Sequence, residues 1–297
     1  MDHDKIISDL KEFGYCVVPN VLNEKEIETA RNYFFDWKSK ITDINYIHNI
    51  IDPHGIFKFH QIGHQKHAWY LRTRPQIIDI FKKIWNTDEL VVSFDGCCYL
   101  TKECRKKNSI WTHVDQPSNN SDLLCYQSFV SLTDNSEKTL IVYEKSHLYH
   151  KEYFANKSKS SKRWNLIDHE TLHKIETEGI YDIKKRVLKV EKGSLVIWDS
   201  RCFHQNQYGV ENNKEERLVQ YLCYLKKNHK DNNKAEQHKR LKYYLERRTT
   251  SHWPYKINVN SLQPQTYGNS DRQLDYTKLP KICLEEEPFY SKIRELI

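Results

Sequence analysis

The stretch Gly193-Ser194-Leu195-Val196-Ile197-Trp198-Asp199-Ser200-Arg201-Cys202-Phe203-His204 decides how the chain reads. Its four consecutive apolar residues, two of them β-branched, are too few for a helix and read as a buried strand between a glycine turn and a polar one. His204 then stands at the end of that strand unit. The same rhythm runs outward in both directions. Short apolar runs recur at 110–114, 123–132, 140–143, 186–190 and 218–225, separated by Asn, Asp, Ser and Gly, and residues 90–100 alternate in the β manner.

Helical patterns precede these runs. Ile6, Ile7, Leu10 and Phe13 fall at helical spacing before Gly14 and the strand 15–18; Asn23 is a fitting N-cap for a helix over 24–40, and Pro75 opens one over 75–85. Many short strands behind a helical N-terminus predict a mainly β fold with flanking helices, a barrel or jelly roll. Residues 145–182, basic and too long for a hairpin turn, read as an insertion lying over or near a barrel mouth. A last helix is expected over 233–248, held down by Leu241, Tyr244 and Leu245. The expected division is therefore 1–225, the β domain with its insertion, and 226–297, a basic extension packed on it.

Composition narrows the function classes. The chain has 297 residues and a formal charge of +7, of which residues 226–297 carry +6 from 15 Lys and Arg against 9 Asp and Glu. Such a tail suits an anionic partner, but a Lys-rich solvated helix is its commoner meaning, and no nucleic-acid-binding signature accompanies it. Eight cysteines without a CxxC pair suggest reduced thiols rather than a zinc knuckle or disulfide frame. No window is long and apolar enough to span a membrane and the start is polar, so a soluble, cytoplasmic protein is expected.

The chemistry centres on Trp111-Thr112-His113-Val114-Asp115. A His and a carboxylate two apart on a strand point to one face and can bind one metal ion. The pattern His-x-Asp/Glu alone is weak, since about two matches are expected by chance. His150/Glu152 and His229/Asp231 match it in polar, Lys-rich surroundings, whereas His113 and Asp115 follow an apolar run. With His204 they make two His and one carboxylate, a set that suits Fe(II) because it holds one face of the ion and leaves three positions for a bidentate cosubstrate and dioxygen. Arg217, opening the strand after the turn 208–216, would return beside His204 and clamp a dicarboxylate cosubstrate, with Arg201 as the rival clamp. Tyr99 is a further expected cosubstrate neighbour, and the cluster His48, His54, His60, His64 and His67 a remote alternative metal site.

At these residues the chain resembles the phytanoyl-CoA dioxygenase-like branch of the Fe(II)/2-oxoglutarate-dependent oxygenases. The likeness runs over most of residues 1–225. It is carried by Phe13-Gly14-Tyr15-Cys16-Val17-Val18-Pro19-Asn20-Val21-Leu22, His113-Val114-Asp115, Ser131-Leu132-Thr133-Asp134-Asn135, Ser146-His147, the segment 193–204 and Arg217. The resemblance implies a double-stranded β-helix, a cupin-like jelly roll, in which His113, Asp115 and His204 bind iron and Arg217 binds the distal carboxylate of 2-oxoglutarate. It implies a dioxygenase that hydroxylates a small organic substrate with succinate and carbon dioxide as coproducts. Asp115 favours hydroxylation over halogenation, because related halogenases lack that carboxylate. Ser136, Lys145, Val114 and Asn206 depart from the usual pattern, and Asn206 is the expected auxiliary cosubstrate contact in place of a hydroxyl residue. Two other readings stand beside this one: the same chemistry on a nucleic acid or protein docked on the basic extension, and a binding barrel without catalysis.

Overall fold

The computed structural model describes residues 2–41, 54–157 and 160–297. In chain order they form strands β1 (Tyr15–Val18), β2 (Ile56–Phe57), β3 (Leu90–Val92), β4 (Cys97–Leu100), β5 (His113–Val114), β6 (Tyr126–Ser131) and β7 (Leu140–Glu144). These are followed by β8 (Asn165–Leu166), β9 (Lys184–Val187), β10 (Leu195–Asp199), β11 (His204–Asn206), β12 (Arg217–Leu222) and β13 (Tyr224–Lys226). The chain divides into two compact units, Met1–Pro19 with Leu100–Arg217, and Asn20–Tyr99 with Leu218–Ile297.

The first unit opens on the helix His3–Glu12, whose Asp2 cap accepts from Lys5 N and whose Ile6 and Leu10 are buried. Gly14, at φ +82°, turns the chain into β1; a Cβ there would come within 2.4 Å of His147 Nδ1 and 2.5 Å of Cys202 Sγ, so only glycine fits. Strand β10 pairs antiparallel with β1 on one side and β6 on the other, in the registers Ile197 to Cys16 and Ile197 to Ser128. All five residues of β10 are buried, as the apolar run 195–198 predicts. The second sheet has the order β8-β5-β11-β7-β9. Side chains of the two sheets meet at the middle, where the Trp198 ring lies 5.5 Å from that of His204.

The segment 145–182 holds two helices, Ser146–Tyr153 and His169–Glu178, and β8, which pairs with β5. Phe154, Ile167, Leu172, Ile175 and Ile183 from it share one apolar cluster with Val114, Ile141, Tyr143 and Phe203. Thus the segment closes over the face of the second sheet opposite His113. The run 110–114 is strand only at its last two residues. Gln205 explains the shortfall: its Oε1 accepts from Trp111 N (3.1 Å) and Thr112 Oγ1 (2.7 Å), and its Nε2 donates to Ser109 O (3.1 Å), replacing ladder bonds with side-chain ones.

In the second unit β12, β4 and β2 are neighbours and β13 pairs with β3. Helix Glu24–Ser39 starts with a full capping box between Asn23 and Glu26, and Pro75–Trp85 buries Ile77, Ile78, Ile80 and Phe81. The basic helix runs Lys234–Leu245, with Asn233 as its cap. Its packed face matches the expected one only at Tyr244. Leu241 and Leu245 are exposed, while Tyr244 and Arg240 are buried. The Arg240 guanidinium donates to the carbonyls of Pro254, Val92 (2.8 Å) and Leu296 (2.9 Å), which ties three chain segments to the helix better than a leucine could. No helix among the described residues is long and apolar enough to cross a membrane.

Candidate metal centre

His113 and His204 are direct register partners of β5 and β11, so the antiparallel ladder places both imidazoles on one face with ring centres 4.4 Å apart. Asp115, two residues after His113, returns to the same face. Its Oδ2 lies 3.5 Å from His113 Nε2 and 3.3 Å from His204 Nε2, and the three ligand atoms all fall within 4.8 Å of one another. Among the described residues this is the one group of three or more His, Cys, Asp or Glu so arranged.

Hydrogen bonds fix which nitrogens face inward. His113 Nδ1 lies 3.1 Å from Trp111 O and His204 Nδ1 2.9 Å from Cys202 O; a carbonyl only accepts, so each Nδ1 donates. A neutral imidazole then turns a lone pair at Nε2 toward the carboxylate oxygen, and three electron-rich atoms face each other. Such a set calls for a cation. Burial pushes the His204 pKa below its ordinary value, with the neighbouring His113 adding to the effect, so a proton is disfavoured at that position. Metal bonds of about 2.1 Å at right angles would set donors about 3 Å apart, near the two His–Asp separations seen here. The donor set therefore fits a divalent metal held on one face.

Second partners hold the candidate ligands in place. Gln127 Nε2 donates to Asp115 Oδ2 at 2.9 Å from β6, orienting the carboxylate. Trp111 stacks on His113 with ring centres 4.9 Å apart and planes at 19°, and its Nε1 donates to Asn206 O. Trp164 lies 5.5 Å from His113 on another approach. The segment after Asp115 is braced by Gln116, fully buried, whose Nε2 donates to the carbonyls of Asn120 and Asp122 while Ser200 Oγ donates to its Oε1.

The other expected site residues are distributed as follows. Arg217 is fully buried, its guanidinium carbon 5.4 Å from the centre of the Phe129 ring. Phe129 and Gln127 share a face of β6, the face turned to Asp115, so the guanidinium lies on the same strand face as the candidate ligands. Arg201 is taken by Asp199, with Nη2 to Oδ2 at 2.6 Å and Nε to Oδ1 at 2.9 Å, which removes it as a rival clamp. Asn206 is buried on β11, on the same strand face as His204 two residues earlier. Tyr99 packs in the second unit against Phe34, Phe35 and Phe57 at centroid distances of 5.1, 5.8 and 6.0 Å, the contacts of a core aromatic. Of the alternative histidine cluster, His48 lies outside the described residues, and His60, His64 and His67 are buried. Gln127 and Trp164 escape a sequence reading; for Gln127 the available signal is a polar residue at an inward position of a strand.

No family model matches the chain. A curated relative, "Ava biosynthesis cluster protein O" of Aspergillus versicolor, is 29% identical over 215 residues, 69% of each chain. Among solved structures, the epimerase SnoN, crystallised with Fe3+, alpha-ketoglutarate and nogalamycin RO, is similar with a TM-score of 0.52 and 17% identity over 75% of this chain and 83% of its own. EctD from S. alaskensis, crystallised with 2-oxoglutarate and 5-hydroxyectoine, is similar with a TM-score of 0.51 and 14% identity over 75% and 76%. At these identities the likeness is one of fold: mainly β with flanking helices, as in those two proteins.

Proposed function

We propose that the chain is an Fe(II)- and 2-oxoglutarate-dependent dioxygenase, a double-stranded β-helix enzyme of the phytanoyl-CoA dioxygenase-like kind, that hydroxylates a small organic molecule. The convergence of His113 Nε2, His204 Nε2 and Asp115 Oδ2 carries the proposal. Bound there with 2-oxoglutarate and dioxygen, Fe(II) supplies the oxidising chemistry that yields succinate, carbon dioxide and a hydroxylated product. The rest is the work of the chain's own side chains.

The two Nδ1–H groups, anchored on the Trp111 and Cys202 carbonyls, keep Nε2 basic and aimed inward, and Gln127 holds Asp115 in the matching rotamer. Arg217 is the clamp for the far carboxylate of the cosubstrate. Over Phe129 its guanidinium is out of water, so an anion reaching it gains a charge-assisted, bidentate bond that solvent does not weaken. Gln127, bonded to Asp115, and Phe129, under the Arg217 guanidinium, stand two residues apart on one face of β6, so Asp115 and Arg217 meet the same strand face. Asn206, on the His204 face, is the auxiliary contact.

A small-molecule substrate agrees with the relative named for a biosynthesis cluster and with the two similar structures, each crystallised with a small organic compound. Macromolecular docking on the basic helix draws little from the structure. Its most buried cation, Arg240, caps backbone carbonyls, and Lys239 and Lys242 face Glu236 and Glu246.

Calorimetric binding of 2-oxoglutarate to the Mn(II)-loaded protein tests the reading. Binding should require the metal and weaken about 10- to 100-fold in Arg217→Gln, as expected for loss of a buried charged hydrogen-bond pair. Equal binding with and without metal, or an unaffected Arg217→Gln, overturns it.

A further inference from the structure

The register of β8 on β5 sets Leu166 opposite His113 and Asn165 opposite Val114. Cross-strand partners share a face, so Leu166 stands on the His113 side of the sheet, and Trp164, two residues earlier, stands there with it. The two sides are treated differently. Val114 and Ile167, on the opposite side, are 0% and 2% exposed within the apolar cluster, whereas Trp164 and Leu166 keep 49% and 53% of their surface in solvent. Trp164 nevertheless reaches the candidate centre, its ring 5.5 Å from the His113 imidazole at an interplanar angle of 38°.

A tryptophan half in water beside a metal ligand has a use that a core tryptophan lacks. Trp111 contacts the same imidazole as a stacked ring and is fixed by its bond to Asn206 O, so it already positions His113. Trp164 adds a free apolar edge next to the ligand, continued along the strand by Leu166. Flat and apolar, that surface offers stacking and dispersion and no complement to a compact polar solute.

Resting on the function proposed above, we propose that Trp164 and Leu166 form the substrate-facing wall beside the metal centre, and that the substrate lays a flat, largely apolar ring system against it. The segment 145–182 then does two jobs with one strand: its buried side chains close the sheet and its exposed ones select the substrate.

The test uses the full-length protein loaded with Mn(II), and 2-naphthol as the probe. The paramagnetic ion speeds relaxation of nearby protons, so binding beside the centre is read as a saturable rise in the probe's NMR relaxation rate. Trp164→Ala should weaken that binding by about tenfold, Trp164→Phe should keep most of it, and Leu148→Ala, which trims an exposed leucine on helix Ser146–Tyr153, should leave it unchanged. Relaxation that is equal in the wild type and Trp164→Ala while Mn(II) is bound overturns the inference and leaves the proposed function standing. A protein that leaves the free Mn(II) EPR signal undiminished overturns both.

Discussion

Two groups of histidines in this molecule are equally buried and behave in opposite ways. His113 and His204 sit on paired strands, each with Nδ1 on a backbone carbonyl and Nε2 turned to Asp115. His64 and His67 sit in the aromatic core of the second unit. His64 lies 4.8 Å from Phe94 and 5.8 Å from Tyr244, with its Nε2 at the Arg248 carbonyl; His67 lies 5.2 Å from Phe34. Burial and the Arg72 charge push the His67 pKa down to about 3, and push His64 well below its ordinary value. The comparison teaches that burial alone makes a histidine a neutral aromatic ring. What sets the candidate ligands apart is, in addition, an anchored Nδ1 and a carboxylate on the same face.

The difference predicts separable effects, and the largest is at the ligands. His113→Ala should lower divalent-metal affinity more than about 100-fold while leaving the fold intact, whereas His64→Ala should leave metal affinity unchanged and cost about 2–4 kcal/mol of stability through the cavity it opens. Metal titration and urea unfolding of both variants check this, and a His64→Ala protein with impaired metal binding would break the comparison. A smaller effect is expected at Gln127, whose amide donates to the Asp115 carboxylate. Gln127→Leu should weaken metal binding about tenfold with little change in unfolding midpoint, sharpening the claim that orientation of Asp115 matters.

The smallest effect is set by pH. His67 folds neutral, and its folded pKa lies below the unfolded value near 6.5. Unfolding therefore takes up a proton once the pH drops below about 6.5, and stability falls with it. At pH 5.5 the metal-free protein should be less stable than on its plateau above pH 7.5 by about 1 kcal/mol from His67, an effect that His67→Phe removes. Urea midpoints at the two pH values measure it, and an unchanged slope in His67→Phe would contradict it.

How much of this was legible beforehand follows from the range of each signal. Strands β1, β6, β7 and β10 and the helices at 24 and 75 rest on local periodicity and caps, and the structure has them where the residues say. Of the candidate triad, strand alternation makes only the His113 and Asp115 pair legible, as a weak signal; joining it to His204 and Arg217 rests on the order of motifs in the resemblance. Gln127 was not, since its role depends on which strand lies across from Asp115. Trp164 lies in a segment without periodicity, and the two-residue β8 owes its register to pairing with β5. On Lys234–Leu245 apolar spacing places Tyr244 correctly on the packed face but also favours Leu241 and Leu245, whereas carbonyls of three distant segments reward Arg240 instead.

The central claim is that His113, Asp115 and His204 form one iron site with room for a chelating cosubstrate. Its most direct test is the visible spectrum of the metal-free protein titrated without oxygen, first with Fe(II) and then with 2-oxoglutarate. The account predicts a metal-to-ligand charge-transfer band that grows to one equivalent of iron and is absent in His113→Ala. Iron left unbound, or a band of equal strength in His113→Ala, would contradict it.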